Sequence, residues 1–151
     1  MHVRPVEWKD LPSLIILGSQ MQAESLTRYP AVDPREVYTT VERVLKAPDQ
    51  LLLLVAEDET GVVGFLSAFI SKYSFSSELC AIHDVFFVTP ARRGSSAASR
   101  LVNGFEAWAE AMGARKTMIA VHTGVRPEIT ARFYRKKGYR QMGGVFDKDL
   151  G

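Results

Sequence analysis

The sequence has almost no cysteine, no long apolar run and no glycine fingerprint, and each shortage closes off a class of protein. One cysteine in 151 residues, Cys80, cannot form an internal disulfide. A disulfide-stapled scaffold is therefore excluded, and a reducing cytoplasm is the expected compartment. No apolar stretch approaches the roughly 18–20 residues that cross a bilayer, so no membrane partner is expected. Glu7 and Asp10 stand ahead of the first apolar run, a pattern unlike a secretory signal. The histidines are three, with no pair at ligand spacing, so no metal site is expected. Neither Gly-x-Gly-x-x-Gly nor Gly-x-x-x-x-Gly-Lys-Ser/Thr occurs, which removes the dinucleotide and P-loop fingerprints.

What remains is an ordinary globular composition, 46% hydrophobic and 24% charged. The length fits one domain over residues 1–151, and a chain of this size buries about 68–70% of its unfolded surface. Charge is unevenly spread. Residues 1–91 hold 7 Lys/Arg against 12 Asp/Glu, a net −5, while residues 92–151 hold 12 against 5, a net +7. The basic half contains Arg92, Arg93 and Arg100, then Arg132, Arg135, Lys136, Lys137 and Arg140. Such a half suits a polyanionic partner, either a phosphorylated small molecule or nucleic acid. Its other reading is a set of solvated helix faces.

Residues 2–7 alternate as a short strand that Pro5 keeps near a sheet edge. A helix from near Asp10 carries Leu11, Leu14, Ile15 and Gly18 on one face. Asp33-Pro34-Arg35-Glu36 opens a second helix, with Asp33 as cap and Pro34 in the first helical position. Val37, Val41, Val44 and Leu45 then repeat at helical spacing. Apolar runs 51–56 and 62–70 flank an acidic turn and read as a hairpin. A strand over 79–88 closes at Thr89-Pro90. A third helix over 95–112 carries the clearest apolar stripe, including Leu101, Val102, Phe105 and Ala109, and Gly113 ends it. A strand over 116–121, a helix from Pro127 to Gly138, and a pair of strands over 139–149 around Gly143-Gly144 complete the pattern. The order β-α-α-β-β-β-α-β-α-β predicts an α/β (α+β) fold, a central mixed sheet flanked by helices.

Chemistry concentrates at residues 84–100. A strand ends at a proline, a turn of small residues follows, and a long helix begins. A helix start presents unpaired N–H groups where the dipole also favours negative charge. Small residues admit phosphate oxygens to the backbone, and Arg92 or Arg93 can add charge-assisted bonds. The plain alternative is a strand–loop–helix connection whose small residues serve packing.

Two stretches resemble one known family. Val88-Thr-Pro-Ala-Arg-Arg-Gly-Ser-Ser-Ala-Ala98 resembles the acyl-CoA-binding motif of the GNAT N-acetyltransferase superfamily, Val-x-Pro followed by Arg/Gln-x-x-Gly-x-Gly/Ala. Arg93 stands at the first motif position, Ser96 at the middle glycine and Ala98 at the last small residue. Residues 129–139, Ile-Thr-Ala-Arg-Phe-Tyr-Arg-Lys-Lys-Gly-Tyr, resemble the second hallmark, Phe/Leu-Tyr-x-x-x-Gly-Phe/Tyr. The hallmarks lie about 40 residues apart, with a helix and a strand between them, and the element order matches over nearly the whole chain. Departures are Ser96 for glycine, and Pro127 where many relatives carry an asparagine that contacts the cofactor.

The resemblance implies acetyl transfer from acetyl-CoA to a primary amine, by direct attack in a ternary complex. It puts the diphosphate on Arg92, Arg93, Gly94, Ser95, Ser96, Ala97, Ala98 and Ser99, and the pantetheine arm along Phe86, Phe87 and Val88, whose N–H groups would polarise the thioester carbonyl. Tyr134 matches the tyrosine that protonates the departing thiolate, and an ordinary tyrosine pKa near 10 suits that task. For the base, Asp84 is the first choice, with His83 and Glu78 open. Asp84, Phe86 and Val88 share one strand face by period two. Otherwise His83 and His122 read as structural, and Cys80 as a small buried apolar residue. The acceptor side, an amine-bearing small molecule or peptide, is implied at residues 20–33 and 142–146, with Glu24 and Asp33 as its acids. Two rival readings stand beside this: an acyl-CoA sensor of the same fold without turnover, and a basic nucleic-acid module. A homodimer is an expectation by analogy.

Overall fold

The computed structural model describes residues 1–26, 29–121 and 123–151. Its strands are β1 (His2–Pro5), β2 (Leu51–Asp58), β3 (Gly61–Ser71), β4 (Cys80–Val88) and β5 (Lys116–Met118), and its helices α1 (Leu11–Glu24), α2 (Pro34–Lys46), α3 (Ala97–Ala111) and α4 (Pro127–Lys136). The sheet order is β1-β2-β3-β4-β5. All neighbours are antiparallel except β4 and β5, which α3 joins as a crossover. Parallel neighbours require such a crossover, because a tight turn can only reverse the chain.

Both faces of the sheet are covered, which explains why β2 is apolar at consecutive positions. Leu52, Leu54, Leu66, Ala68, Ala81 and Val88 pack under Ala97, Leu101, Val102, Phe105 and Ala109 of α3. On the opposite face Leu53, Val55, Phe65 and Phe87 meet Val6, Leu14, Leu17 and Val41 from the β1 end, α1 and α2. The stripe read from the sequence of α3 is thus its core face. Asp33 caps α2 as expected, its carboxylate accepting from the Arg35 N–H at 2.9 Å.

Two expectations are corrected. Residues 139–149 form no strand among the described residues, and residues 140–151 are exposed. Gly143 and Gly144 meet nothing within 4 Å of an added Cβ. Two adjacent glycines lose the most backbone entropy on ordering, and three-residue β5 offers little ladder to repay it. The strand expected over 116–121 stops at Met118, because the Ala120 N–H is taken by the His83 imidazole rather than by a neighbouring strand.

A buried ion pair ties β1 to the start of α1. Arg4 donates to both oxygens of Asp10 at 2.8 Å and to Glu57 Oε2 at 3.0 Å, and Asp10 also accepts the Glu7 N–H at 2.8 Å. Asp10 is only 3% exposed. Burial pushes its carboxyl up, but the Arg4 and Glu7 bonds outweigh burial and hold it below the ordinary aspartate value. A lowered folded value means stability that is present above the unfolded pKa of about 4 and lost as pH falls through the folded one. Asp10→Asn should therefore cost about 2–3 kcal/mol at pH 7. In urea unfolding that difference should shrink below about pH 4, and an equal difference at pH 3 would refute the assignment.

Candidate active site

The parallel ladder between β4 and β5 has three rungs, Cys80 to Lys116, Ala81 to Thr117 and Ile82 to Met118, and then the strands part. The opening is a cleft of about 640 Å³, within the roughly 300–1,000 Å³ range of small-molecule sites. It is lined from one face of the sheet by Met21, Gln22 and Glu24 of α1, and from the other by Gly94, Ser95, Ala98, Ser99, Phe133 and Tyr134.

Hydrogen bonding on β4 decides which backbone groups face this cleft. The Thr89 N–H donates to Val63 O at 2.9 Å and the Val85 N–H to Ser67 Oγ at 3.1 Å, so both point toward β3. Alternation turns the N–H and C=O groups of Phe86 and Val88 to the other edge, where β5 has left. The register also slips between Ser67 and Ala68, which face Val85 and His83, so Asp84 is an extra, unpaired residue. Simple alternation from Asp84 to Val88 is thereby corrected. Ala81 packs on the α3 side, as do Phe86 and Val88, an odd number of residues further on. A bulge reverses parity in this way and re-aims the residue it carries. Asp84 is exposed and lines the cleft.

At the end of β4 the chain makes a short 3₁₀ turn over Pro90–Arg92 and enters α3 through Gly94, whose φ of +87° favours glycine. Among the described residues the amides of Gly94, Ser96, Ala98 and Ser99 meet no acceptor, whereas the Ala97 N–H is taken by Ser95 Oγ at 3.3 Å. Four free donors at a helix start, in the positive field of its dipole, can hold an anion.

The arginines expected to assist are engaged elsewhere. Arg92 donates to Asp58 at 2.5 Å. The Thr60 hydroxyl, Arg92 and the Thr60 N–H together pull the Asp58 carboxyl down to about 2. Arg93 lies over the Phe87 ring at 5.5 Å, donates to Val88 O at 3.1 Å and pairs with Glu24. Arg93 thus links α1, the β4 end and the loop. The cations beside the free amides are instead Arg100, bonded to Ser96 Oγ at 3.2 Å, and Lys137, which donates to Ser99 Oγ at 3.4 Å and to Asn103. Arg100 was legible as one turn beyond Ser96. Lys137 was not, because its proximity depends on how α4 docks.

Tyr134 is 8% exposed, and its hydroxyl donates to Ala120 O at 3.4 Å beside the cleft. Burial, with a smaller contribution from Tyr139, raises its pKa above the ordinary tyrosine value. That corrects the expected value near 10: the hydroxyl is a weaker acid and stays protonated further into alkali. Of the remaining candidates, His83 lines the cleft and is buried, 5% exposed, while Glu78 and Asp33 do not line it. Cys80 is buried and donates to Ser71 O at 3.4 Å. Residues 142–146 stand apart from this cleft. His122, and residues 27 and 28 of the expected acceptor segment, lie outside the described residues. Arg126, at the cleft and with a left-handed φ of 43°, was not anticipated.

A splayed parallel pair, with a helix start at its mouth and a buried tyrosine opposite, makes this cleft the candidate site. The chain belongs to the GNAT acetyltransferase family: the family model described as "Acetyltransferase (GNAT) domain" matches residues 49–141. Members of this family use acetyl-CoA. Solved structures agree on the fold. A Trypanosoma brucei acetyltransferase is 22% identical with TM-score 0.75, covering 99% of each chain. Glucosamine-6-phosphate N-acetyltransferase from Arabidopsis thaliana is 20% identical with TM-score 0.79, covering 99% of this chain and 98% of that one. AAC(6')-Iy in complex with a CoA-containing bisubstrate analogue is 19% identical with TM-score 0.79, covering 99% and 97%. No curated protein sequence matches the chain.

The tyrosine environment is directly measurable. At pH 10 an ordinary tyrosine is about half ionised. Tyr134 should remain protonated there, as should Tyr139, raised by burial to about 12. Carbon-13 NMR of the ring Cζ reads this, and half-ionisation of Tyr134 at pH 10 would refute the buried placement.

Proposed function

We propose that this acetyltransferase moves an acetyl group from acetyl-CoA to a primary amine by direct attack in a ternary complex. The observation that carries the reading is the convergence of three features on one cleft: the open β4 edge at Phe86 and the Val88 N–H, the amide cradle between Gly94 and Ser99, and the Tyr134 hydroxyl. The cradle fits a diphosphate in charge and in donor count, since four amides meet no acceptor among the described residues. The neighbours named for glucosamine-6-phosphate and for an acetylneamine analogue bring the amine class to this chain as the acceptor.

Bound acetyl-CoA supplies an activated thioester carbonyl; the residues supply the rest. Phe86 and Val88 pair with the strand-like arm, and an N–H of that edge steadies negative charge growing on the carbonyl oxygen. The incoming amine forms the C–N bond as the C–S bond breaks. Tyr134, which is protonated at neutral pH, donates its hydroxyl to the departing sulfur and serves as its acid. Asp84, exposed on the bulge, takes the proton the amine loses, directly or through water. Cys80 is buried in the strand pair away from the cleft lining, which favours direct attack over an acyl-cysteine route.

The sharpest test is Ser96→Glu, at the exposed start of α3. A carboxylate there favours the helix dipole, so the fold should hold or tighten. The same carboxylate opposes a diphosphate at the cradle. Calorimetric titration should show CoA affinity falling at least about thirtyfold with Tm unchanged or higher. Wild-type protein that bound no CoA at millimolar concentration, yet bound duplex DNA with steep salt dependence, would overturn the reading.

A further inference from the structure

We infer that His83 is a positioning residue for Tyr134, acting through the backbone of Ala120 at the point where β4 and β5 part. The inference rests on the reading of Tyr134 as the acid for the departing sulfur.

His83 is the first residue past the last β4–β5 rung, Ile82 to Met118, and the last before the bulged Asp84. A ladder that continued would use backbone groups on both strands. Here the His83 Nδ1 accepts the Ala120 N–H at 3.1 Å instead. The side chain therefore stands where a strand would, and it satisfies a donor that the parting of the strands would orphan. The other backbone polar group of the same residue, Ala120 O, accepts the Tyr134 hydroxyl at 3.4 Å. One residue thus links the imidazole to the phenol, with the two peptide groups flanking its Cα each pinned by one side chain.

This geometry fixes the imidazole's chemistry. A nitrogen accepting from an amide carries no proton, so the ring hydrogen sits on Nε2 and the imidazole is neutral. The Nδ1 lone pair is committed to Ala120, which separates His83 from the proton-accepting task that Asp84 can perform at the bulge. At 3.4 Å the Tyr134 bond is weak, longer than the roughly 2.5–3.0 Å usual for a hydroxyl donor. The carbonyl therefore fixes where the phenol oxygen rests, while its proton can turn to a stronger acceptor that enters the cleft. Burial of both side chains, at 5% and 8% exposure, keeps water from substituting for either.

The test needs CoA alone and no acceptor: the ultraviolet absorbance of the thiolate gives the thiol pKa of CoA bound to the full chain. A hydroxyl that donates to the thiolate lowers that pKa, so Tyr134→Phe should raise it by about one pH unit. His83→Phe should raise it by a similar amount, and the double variant by no more than either alone, because both act through one contact. His83→Asn, whose Oδ1 can replace Nδ1 as acceptor, should keep the wild-type value. CoA affinity should stay within about threefold throughout. His83→Leu serves the same purpose if the phenylalanine does not fit. A bound thiol unchanged by His83→Phe or His83→Leu while Tyr134→Phe raises it, or additive effects in the double variant, would overturn the inference and leave the acid intact. A thiol unchanged by Tyr134→Phe would overturn both.

Discussion

The parting of two parallel strands after three rungs is the constraint on which the rest of the site depends. While β4 and β5 are paired, their edges are consumed by each other; beyond Ile82 and Met118 they are not. A buried strand edge without a partner is costly, so the opening persists only because other groups meet the exposed backbone. His83 meets the Ala120 N–H, Arg93 meets Val88 O, and Tyr134 meets Ala120 O. What is left unpaired on β4 is a short edge suited to an extended ligand. The bulge at Asp84 belongs to the same arrangement, since it reverses the strand's parity just where the partner strand departs.

The electrostatics of the loop differ from a simple count of its arginines. Arg92 and Arg93 each have a carboxylate partner, Asp58 and Glu24, and each partner belongs to a different element. Their work is mechanical: they clamp the β4–α3 turn to the β2–β3 turn on one side and to α1 on the other. The anion-holding capacity falls to backbone amides, with Arg100 and Lys137 at their flank. Amides held by a turn and a helix start cost little to orient when an anion arrives, whereas long side chains must be ordered.

Much of the fold was legible in the sequence because its signals are local. The Asp33-Pro34 start of α2, the stripe of α3 and the hairpin of β2 and β3 each depend on residues a few positions apart. The two family motifs were legible for the same reason, and the structure brings Tyr134 of one and Gly94 of the other to a single cleft. The failures share one cause. Lys137 beside Ser99, Arg93 beside Glu24 and His83 beside Ala120 are contacts between residues 37 to 69 positions apart, and no periodicity encodes them. The bulge was missed because alternation assumes an unbroken ladder. The expected last strands were read from apolar residues that find no partner edge, as Phe146 at 96% exposure makes plain.

The two faces of the sheet give the proposed reaction its geometry. Phe86 and Val88 look toward α3, while Val85 and Phe87 look toward α1 and α2, so a single strand contributes to both cores. In an intact sheet those faces would be separated by a continuous layer of backbone. Where β5 turns away that layer is interrupted, and residues of α1 and of α3 line one continuous cleft. In the proposed reaction a donor lying along the α3 side is met by an acceptor entering from the α1 side, whose nitrogen attacks a face of the thioester carbonyl. Neither has to pass the other, which is what a ternary complex with direct attack requires.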